Sequence, residues 1–194
     1  PIRHHGKLLL DISPSRLFDE MLKLFMAGSA TATFQLLLDH DLLQHLFPAT
    51  AACVKNDAMG LQLIQQTMTN TDKRIRSSQR VTPAFIYAAL LWPAVQRLAS
   101  NFEKNGNSPP YALSKAAGEI ILNQIPVTAI PKRFSIPMRE IWDLQLHLRR
   151  RGGNRAQRLA EHPRFRAAYD FVLLREQAGE DLDGLGDWWT NYQE

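Results

Sequence analysis

The sequence of 194 residues contains a single cysteine, and no long apolar run is present. Cys53 alone excludes an internal disulfide and fits a reducing compartment. No apolar stretch approaches the roughly 18 residues that a membrane span requires. The first residues show no signal-peptide pattern and no initiator Met, so we expect a portion of a longer chain. These features predict a cytoplasmic protein that makes no contact with a membrane.

Short motifs typical of metal, hydrolase and nucleotide sites are also missing. The sequence has no Cys-x-x-Cys, His-Glu-x-x-His, Gly-x-Ser-x-Gly or Gly-x-x-x-x-Gly-Lys segment. Asp181 and Asp183 have the spacing of a two-metal carboxylate pair. They lie in a glycine-rich acidic stretch with no strand pattern on either side, so we interpret them as a charge cluster before a helix. The sequence therefore predicts no metal site.

Alternating strand-like runs are absent, whereas apolar residues recur at spacings of three and four. This pattern predicts an all-α fold, an irregular bundle of about nine or ten helices with no β-sheet. Ser13-Pro14 and Thr82-Pro83 have the cap-plus-proline pattern of a helix start. Pro131 and Pro137 predict an extended connector, and Gly152-Gly153 predicts a break between helices.

Charge is the strongest signal in the sequence, because its two signs are separated along the chain. Residues 132–166 hold ten cations and three acids, whereas residues 167–194 hold seven acids and one arginine. Nine of the ten cations are arginine, whose planar fork binds phosphate through two donors. A polyanion is the natural partner. The ten candidate residues for binding a polyanion such as a nucleic acid are Lys132, Arg133, Arg139, Arg149, Arg150, Arg151, Arg155, Arg158, Arg164 and Arg166.

The densest part of this cluster, residues 149–158, spans the predicted glycine break. Unpaired N–H groups at the start of the next helix, glycine freedom and arginine forks together predict a phosphate site there. The alternative is a solvated face with ion pairs to Glu161 or to the acidic tail. Four nearby aromatic residues could stack on bases, although their helical spacing is more typical of a core. They are Phe134, Trp142, Phe165 and Tyr169.

Residues 11–48, DISPSRLFDEMLKLFMAGSATATFQLLLDHDLLQHLFP, resemble the late neck region of bacterial poly(A) polymerases and the related CCA-adding tRNA nucleotidyltransferases. Arg16, Glu20, Gly28 and the Leu46-Phe47-Pro48 ending match the neck pattern. Later segments, NTDKRIRSSQRVTPAFIYAALLW, AIPKRFSIPMREIWDLQL and EHPRFRAAYDFVLLR, resemble the poly(A) polymerase branch more than the tRNA branch. The resemblance covers nearly the whole chain.

The resemblance implies a class II nucleotidyltransferase that adds adenylates from ATP to RNA 3′ ends. The family's strand-borne D-x-D and base-reading motif are not matched in this chain. We therefore expect no catalytic residue and no cofactor here, with Mg²⁺ and ATP bound by a preceding head domain, and we expect the chain to be inactive alone. Residues 1–50 would end the neck, 51–130 would form a helical body, and 131–194 would bind RNA.

The resemblance also implies roles for individual residues and partners. Arg16 and Glu20 would form a helix-stabilising pair, in the weaker order for an isolated helix. The ten cations would bind single-stranded RNA 3′ ends without reading bases. Two alternatives stay open: a helical module that recruits RNA-decay proteins such as a helicase, and the body of a CCA-adding enzyme.

Overall fold

The computed structural model describes residues 2–194, and these residues form twelve α-helices and one 3₁₀ segment, with no strand among them. The predicted all-α class is confirmed. The helices are α1 (Ile2–His5), α2 (Pro14–Phe25), α3 (Ala30–Asp39), α4 (Leu43–Leu46), α5 (Pro48–Val54), α6 (Ala58–Arg76), α7 (Pro83–Lys104), α8 (Pro109–Gln124), α9 (Lys132–His147), α10 (Gly153–Ala160), α11 (Phe165–Gln177) and α12 (Leu185–Tyr192); the 3₁₀ segment is Gly6–Asp11.

Local capping signals explain where several helices begin. Ser13 Oγ accepts a hydrogen bond from the Arg16 N–H at 3.4 Å, and Pro14 occupies the first position of α2. Pro83 likewise begins α7. Asp57 caps α6 by accepting the Gly60 N–H at 2.8 Å. The helix starts predicted at Ser13-Pro14 and Thr82-Pro83 are confirmed.

Helix α3 is capped by a residue from another helix. Its own N-cap residue, Ser29, makes no side-chain capping bond. Asp72 on α6 instead accepts the Ala30 N–H at 2.6 Å and the Thr31 N–H at 3.0 Å. The Asp72 side chain is buried, and a carboxylate at a helix N-terminus is favoured by the helix dipole. This contact joins α3 to α6.

The extended connector predicted around Pro131 and Pro137 is wrong. Pro131 has extended backbone angles and stands immediately before α9, while Pro137 lies inside that helix. Proline at the sixth helical position removes only the bond that its N–H would make to the Arg133 carbonyl, and the bonds after it remain available. The helix therefore begins at Lys132, before Pro137, and residues 132–137 are helical instead of extended.

Two hydrophobic clusters hold the helices together. The larger contains buried residues of α2 to α9 together with Phe171 of α11. Helix α7 lies at its centre, with Trp142 Nε1 of α9 donating to the Ala88 carbonyl at 3.1 Å. The smaller cluster joins the end of α9 to α10, α11 and α12 around Trp189, which is fully buried. The start of α9 and the face of α11 next to it are thus held firmly against α7.

Candidate nucleic-acid interface

A groove of about 970 Å³ lies where the end of α6 and the loop after it meet α9 and α11. We call it the α6–α9–α11 groove. Among the charged residues that line it, six are cations and one, Asp170, is an acid. Three of the predicted RNA-binding residues are brought together here with three cations from an earlier part of the chain. The six cations are Lys73, Arg74, Arg80, Arg133, Arg164 and Arg166.

Helix geometry positions the three predicted cations of the groove. Arg133 lies in the first turn of α9, with its guanidinium 4.9 Å from the centre of the Phe134 ring. Arg164 is the N-cap residue of α11 and donates from Nε to Glu140 Oε2 at 2.8 Å. Arg166 is the second residue of α11, two positions after Arg164, and is mostly exposed. The guanidinium groups of these three arginines therefore project from two helices, α9 and α11, that pack against each other.

Lys73, Arg74 and Arg80 were missed by the sequence-based site prediction. They follow one another at the end of α6 and in the loop behind it, and Arg74 Nε donates to the Arg80 carbonyl at 3.1 Å. Within residues 2–194, neither Lys73, Arg80 nor Arg133 forms an ion pair. The sequence does contain a signal that could have identified these cations, because residues 73–80 contain four cations and no acid.

Some of the aromatic residues near the cations line the groove, and the others belong to the hydrophobic core. Phe134 and Phe85 are half-buried and line the groove. Trp142, Phe165 and Tyr169 are buried, so for these three the core interpretation is confirmed. The Tyr169 hydroxyl lies 2.7 Å from Thr190 Oγ1. Only the two phenylalanines leave ring surface open to a base in this groove.

Asp170 lies between two of the groove arginines. Its Oδ1 accepts from Arg166 Nε at 3.1 Å, and its Oδ2 lies 4.0 Å from Arg74 Nη1. Burial raises the pKa of Asp170, against the opposing effect of the Arg166 and Arg74 charges. The carboxylate is thus held in a site that stabilises its charge less well than water does.

A second set of predicted cations lies around the break between α9 and α10. Arg149, Arg150, Arg155 and Arg158 are all exposed there, and we call them the α10 surface. Gly152 and Gly153 have φ of 93° and 64°, the left-handed region that glycine adopts without strain. The break predicted at this pair is confirmed. The four side chains remain candidates for phosphate contact.

The remaining predicted cations have other surroundings. Arg151 Nη2 donates to the Asp183 carbonyl at 2.6 Å and to the Leu182 carbonyl at 3.3 Å, so it holds the acidic tail in place. Arg139 reaches Ser114 on α8 at 3.4 Å. Lys132 is exposed at the start of α9.

The expected pair between Arg16 and Glu20 does not form. Glu20 Oε1 accepts from Lys23 Nζ at 2.9 Å instead. A glutamate that precedes a cation on a helix is oriented more favourably than one that follows it, which explains the choice.

One carboxylate of the acidic tail stabilises a local turn of the backbone. Asp181 Oδ1 accepts the Asp183 N–H at 3.0 Å, and residues 2–194 bring together no three potential metal ligands.

Two family models match the chain. Residues 1–54 match a model described as "Probable RNA and SrmB- binding site of polymerase A". Residues 105–194 match one described as "Polymerase A arginine-rich C-terminus". The chain belongs to the bacterial poly(A) polymerase family. Lys73, Arg74 and Arg80 lie between the two matched segments.

Curated relatives support the same assignment. The chain is 40% identical over 198 residues to poly(A) polymerase I of Salmonella typhi and of Escherichia coli O157:H7. It is 38% identical over 200 residues to that of Haemophilus influenzae. These alignments cover 100% of this chain and 43–44% of the relatives, so the chain spans less than half of their length. No helix within residues 2–194 has the length and hydropathy to traverse a bilayer.

Proposed function

We propose that this chain is the RNA-binding C-terminal part of a polynucleotide adenylyltransferase, which adds adenylates from ATP to RNA 3′ ends in mRNA processing and decay. The names of the relatives and of both family models support the poly(A) branch over the CCA-adding branch. The parent enzyme would act in the cytoplasm. We propose, as the resemblance implies, that Mg²⁺ and ATP are bound by the head domain of the parent enzyme and that the residues of this chain contribute contact with RNA.

The observation that carries this proposal is the α6–α9–α11 groove. Six cations face one acid across it, and two half-buried phenyl rings form part of its wall. Cations that follow a backbone and rings that stack on unpaired bases are the two features that single-stranded RNA requires. The groove therefore fits an RNA strand held through its phosphates, with the 3′ end free to extend toward the parent enzyme's catalytic part.

The groove and the first matched segment, residues 1–54, differ in net charge. Residues 1–54 hold four lysines and arginines against five acids. Phosphate contact dominates the affinity of proteins for nucleic acid, and a surface without excess positive charge supplies little of it. We therefore propose that the groove provides most of the electrostatic contact with RNA.

The test is RNA binding by two charge-matched double variants. Arg80→Gln with Arg133→Gln removes two unpaired groove cations, while Arg16→Gln with Lys23→Gln removes two cations from the first segment. Affinity for a single-stranded oligoadenylate of about 12 nucleotides is measured by fluorescence anisotropy at several salt concentrations. We expect the groove variant to bind about tenfold more weakly and its log–log salt slope to fall by about 1.4.

The control variant should retain affinity within about twofold, because its cations contact no phosphate in this proposal. Equal losses from the two variants would show only non-specific charge attraction and would refute the groove assignment. A triple variant of Arg149, Arg150 and Arg155 measures the contribution of the α10 surface. Arg151 is left intact in that variant, because its side chain holds the tail.

A second proposed function, protein binding, has support in residues 1–54. Four exposed leucines lie on this segment, Leu8, Leu10, Leu24 and Leu36, and the family description names a protein partner beside RNA. Exposed apolar side chains with little net charge suit a protein surface. We expect Leu8→Ser with Leu10→Ser to leave RNA affinity unchanged while weakening capture of an RNA-decay partner such as a helicase. Unchanged capture would exclude this surface.

A further inference from the structure

We propose that Asp170 is a built-in competitor of RNA: its carboxylate occupies the position of one RNA phosphate between Arg74 and Arg166, and a bound strand displaces it from both guanidinium groups. The inference rests on the proposed function of the groove. It assigns one phosphate subsite and a residue that limits its affinity.

The geometry around Asp170 is that of an anion site already filled. Arg166 approaches from one turn earlier on α11 at 3.1 Å, and Arg74 approaches from α6 across the groove at 4.0 Å. A carboxylate and a phosphate present similar oxygen pairs to an arginine fork. A phosphate placed between these two arginines would therefore make the contacts that Asp170 makes without RNA.

The two arginine side chains are more exposed than the carboxylate that lies between them. The Arg74 side chain is 45% exposed and the Arg166 side chain 73%, whereas that of Asp170 is 25% exposed. Ion pairs formed by solvent-exposed arginines contribute little to stability, so exchanging the anion between Arg74 and Arg166 costs little. The raised pKa of Asp170, caused first by burial, also indicates a carboxylate whose charge is poorly stabilised.

The opposite reading is that Asp170 is a structural tie between α11 and α6. The two readings predict effects of opposite sign. If Asp170 competes, removing its charge frees two arginines for RNA and strengthens binding. If it positions the arginines, removing its charge lets them move and weakens binding.

Asp170→Asn tests whether removing the charge strengthens or weakens RNA binding, with Asp143→Asn as the control that changes the net charge equally. Asp143 is an exposed acid on α9 that does not line the groove. Both variants add one unit of positive charge. Binding to the same oligoadenylate should become about three- to tenfold tighter for Asp170→Asn, with a steeper salt slope, and change by less than about twofold for Asp143→Asn. Adding Arg74→Gln to Asp170→Asn should remove most of the gain.

A second measurement uses the unaltered chain. The Nε–Hε resonances of Arg74 and Arg166 are followed during titration with the oligoadenylate, and that of Arg175, which is buried against Glu180, serves as the internal reference. We expect the first two to shift and the third to stay.

The outcomes separate the two proposals. If the unaltered chain shows no salt-dependent RNA binding, the proposed function fails. If the chain binds RNA but Asp170→Asn binds equally or more weakly, or if the Arg74 and Arg166 resonances do not move, only the competitor role is refuted.

Discussion

Arg175 shows how far a single side chain can depart from the charge pattern of its segment. It is the one arginine of the acidic stretch 167–194, and it is 3% exposed. Its guanidinium donates to Glu180 at 2.6 and 2.9 Å and to Gln145 at 3.1 Å, and it lies 5.1 Å from the centre of the Trp92 ring. One residue thus connects α7, α9, α11 and the turn that leads to α12.

We expect Arg175→Ala to lower the free energy of unfolding by roughly 2–4 kcal/mol, because it leaves Gln145 Oε1 without its donor and Glu180 with Gln96 alone in a largely buried site. Arg158→Ala, at an exposed position on α10, should cost less than about 0.5 kcal/mol. Urea unfolding followed by circular dichroism measures both. Similar costs for the two variants would mean that the Arg175 network contributes nothing to stability.

Among the helices, α3 depends most clearly on tertiary structure for its first turn. Its capping carboxylate comes from Asp72, 42 residues further along the chain than Ala30. In α6, by contrast, the cap is the local residue Asp57. A local cap acts within one helix, whereas the Asp72 contact also fixes the position of α3 relative to α6.

Replacing Asp72 by alanine should therefore destabilise the protein by roughly 2–3 kcal/mol, since two N–H groups lose a charged acceptor. The local cap provides the comparison: Asp57→Ala should cost about 1 kcal/mol. Hydrogen exchange at the Ala30 and Thr31 amides reports the same contact directly. Protection of these amides that survives Asp72→Ala would contradict the assignment.

The elements that sequence patterns predict well are those with local causes. Pro14 and Pro83 act on the first turn that follows them, so the starts of their helices were predicted at the right places. Pro137 was misread because tertiary packing of α9 against α7 sustains a helix that local rules would interrupt. Helix α5 also depends on tertiary packing: it is seven residues long, and the buried Thr50 donates its hydroxyl to the Leu90 carbonyl of α7.

The candidate site was predicted only in part, again for a physical reason. A count along the chain grouped Arg133, Arg164 and Arg166 with Arg149 to Arg158, but folding separates them into the groove and the α10 surface. The same folding brings Lys73 and Arg80 beside Arg133, which lies more than 50 residues later. Linear charge density predicts a polyanion as the partner, whereas the position of the site depends on long-range packing.

For the whole molecule, RNA that binds only the folded groove must stabilise the fold. At a ligand concentration of 100 times Kd the gain is about 2.7 kcal/mol, which for a chain of this size raises Tm by about 5–10 °C. Differential scanning calorimetry with oligoadenylate measures the shift, which should shrink as salt is added. A chain that binds RNA without any rise in Tm would be binding it through segments whose contacts persist on unfolding.

The groove takes its walls from residues 67–85, 133–141 and 163–177, and this spacing has a consequence for biosynthesis. A chain emerging from the ribosome exposes Lys73, Arg74 and Arg80 long before α11 has been made. Contacts of such long sequence separation form late, because loop closure must come first. Asp170, whose carboxylate competes with RNA, and its partner Arg166 both lie on α11 and are synthesised together. The nascent chain therefore completes the groove and gains the residue that limits RNA affinity in the same step.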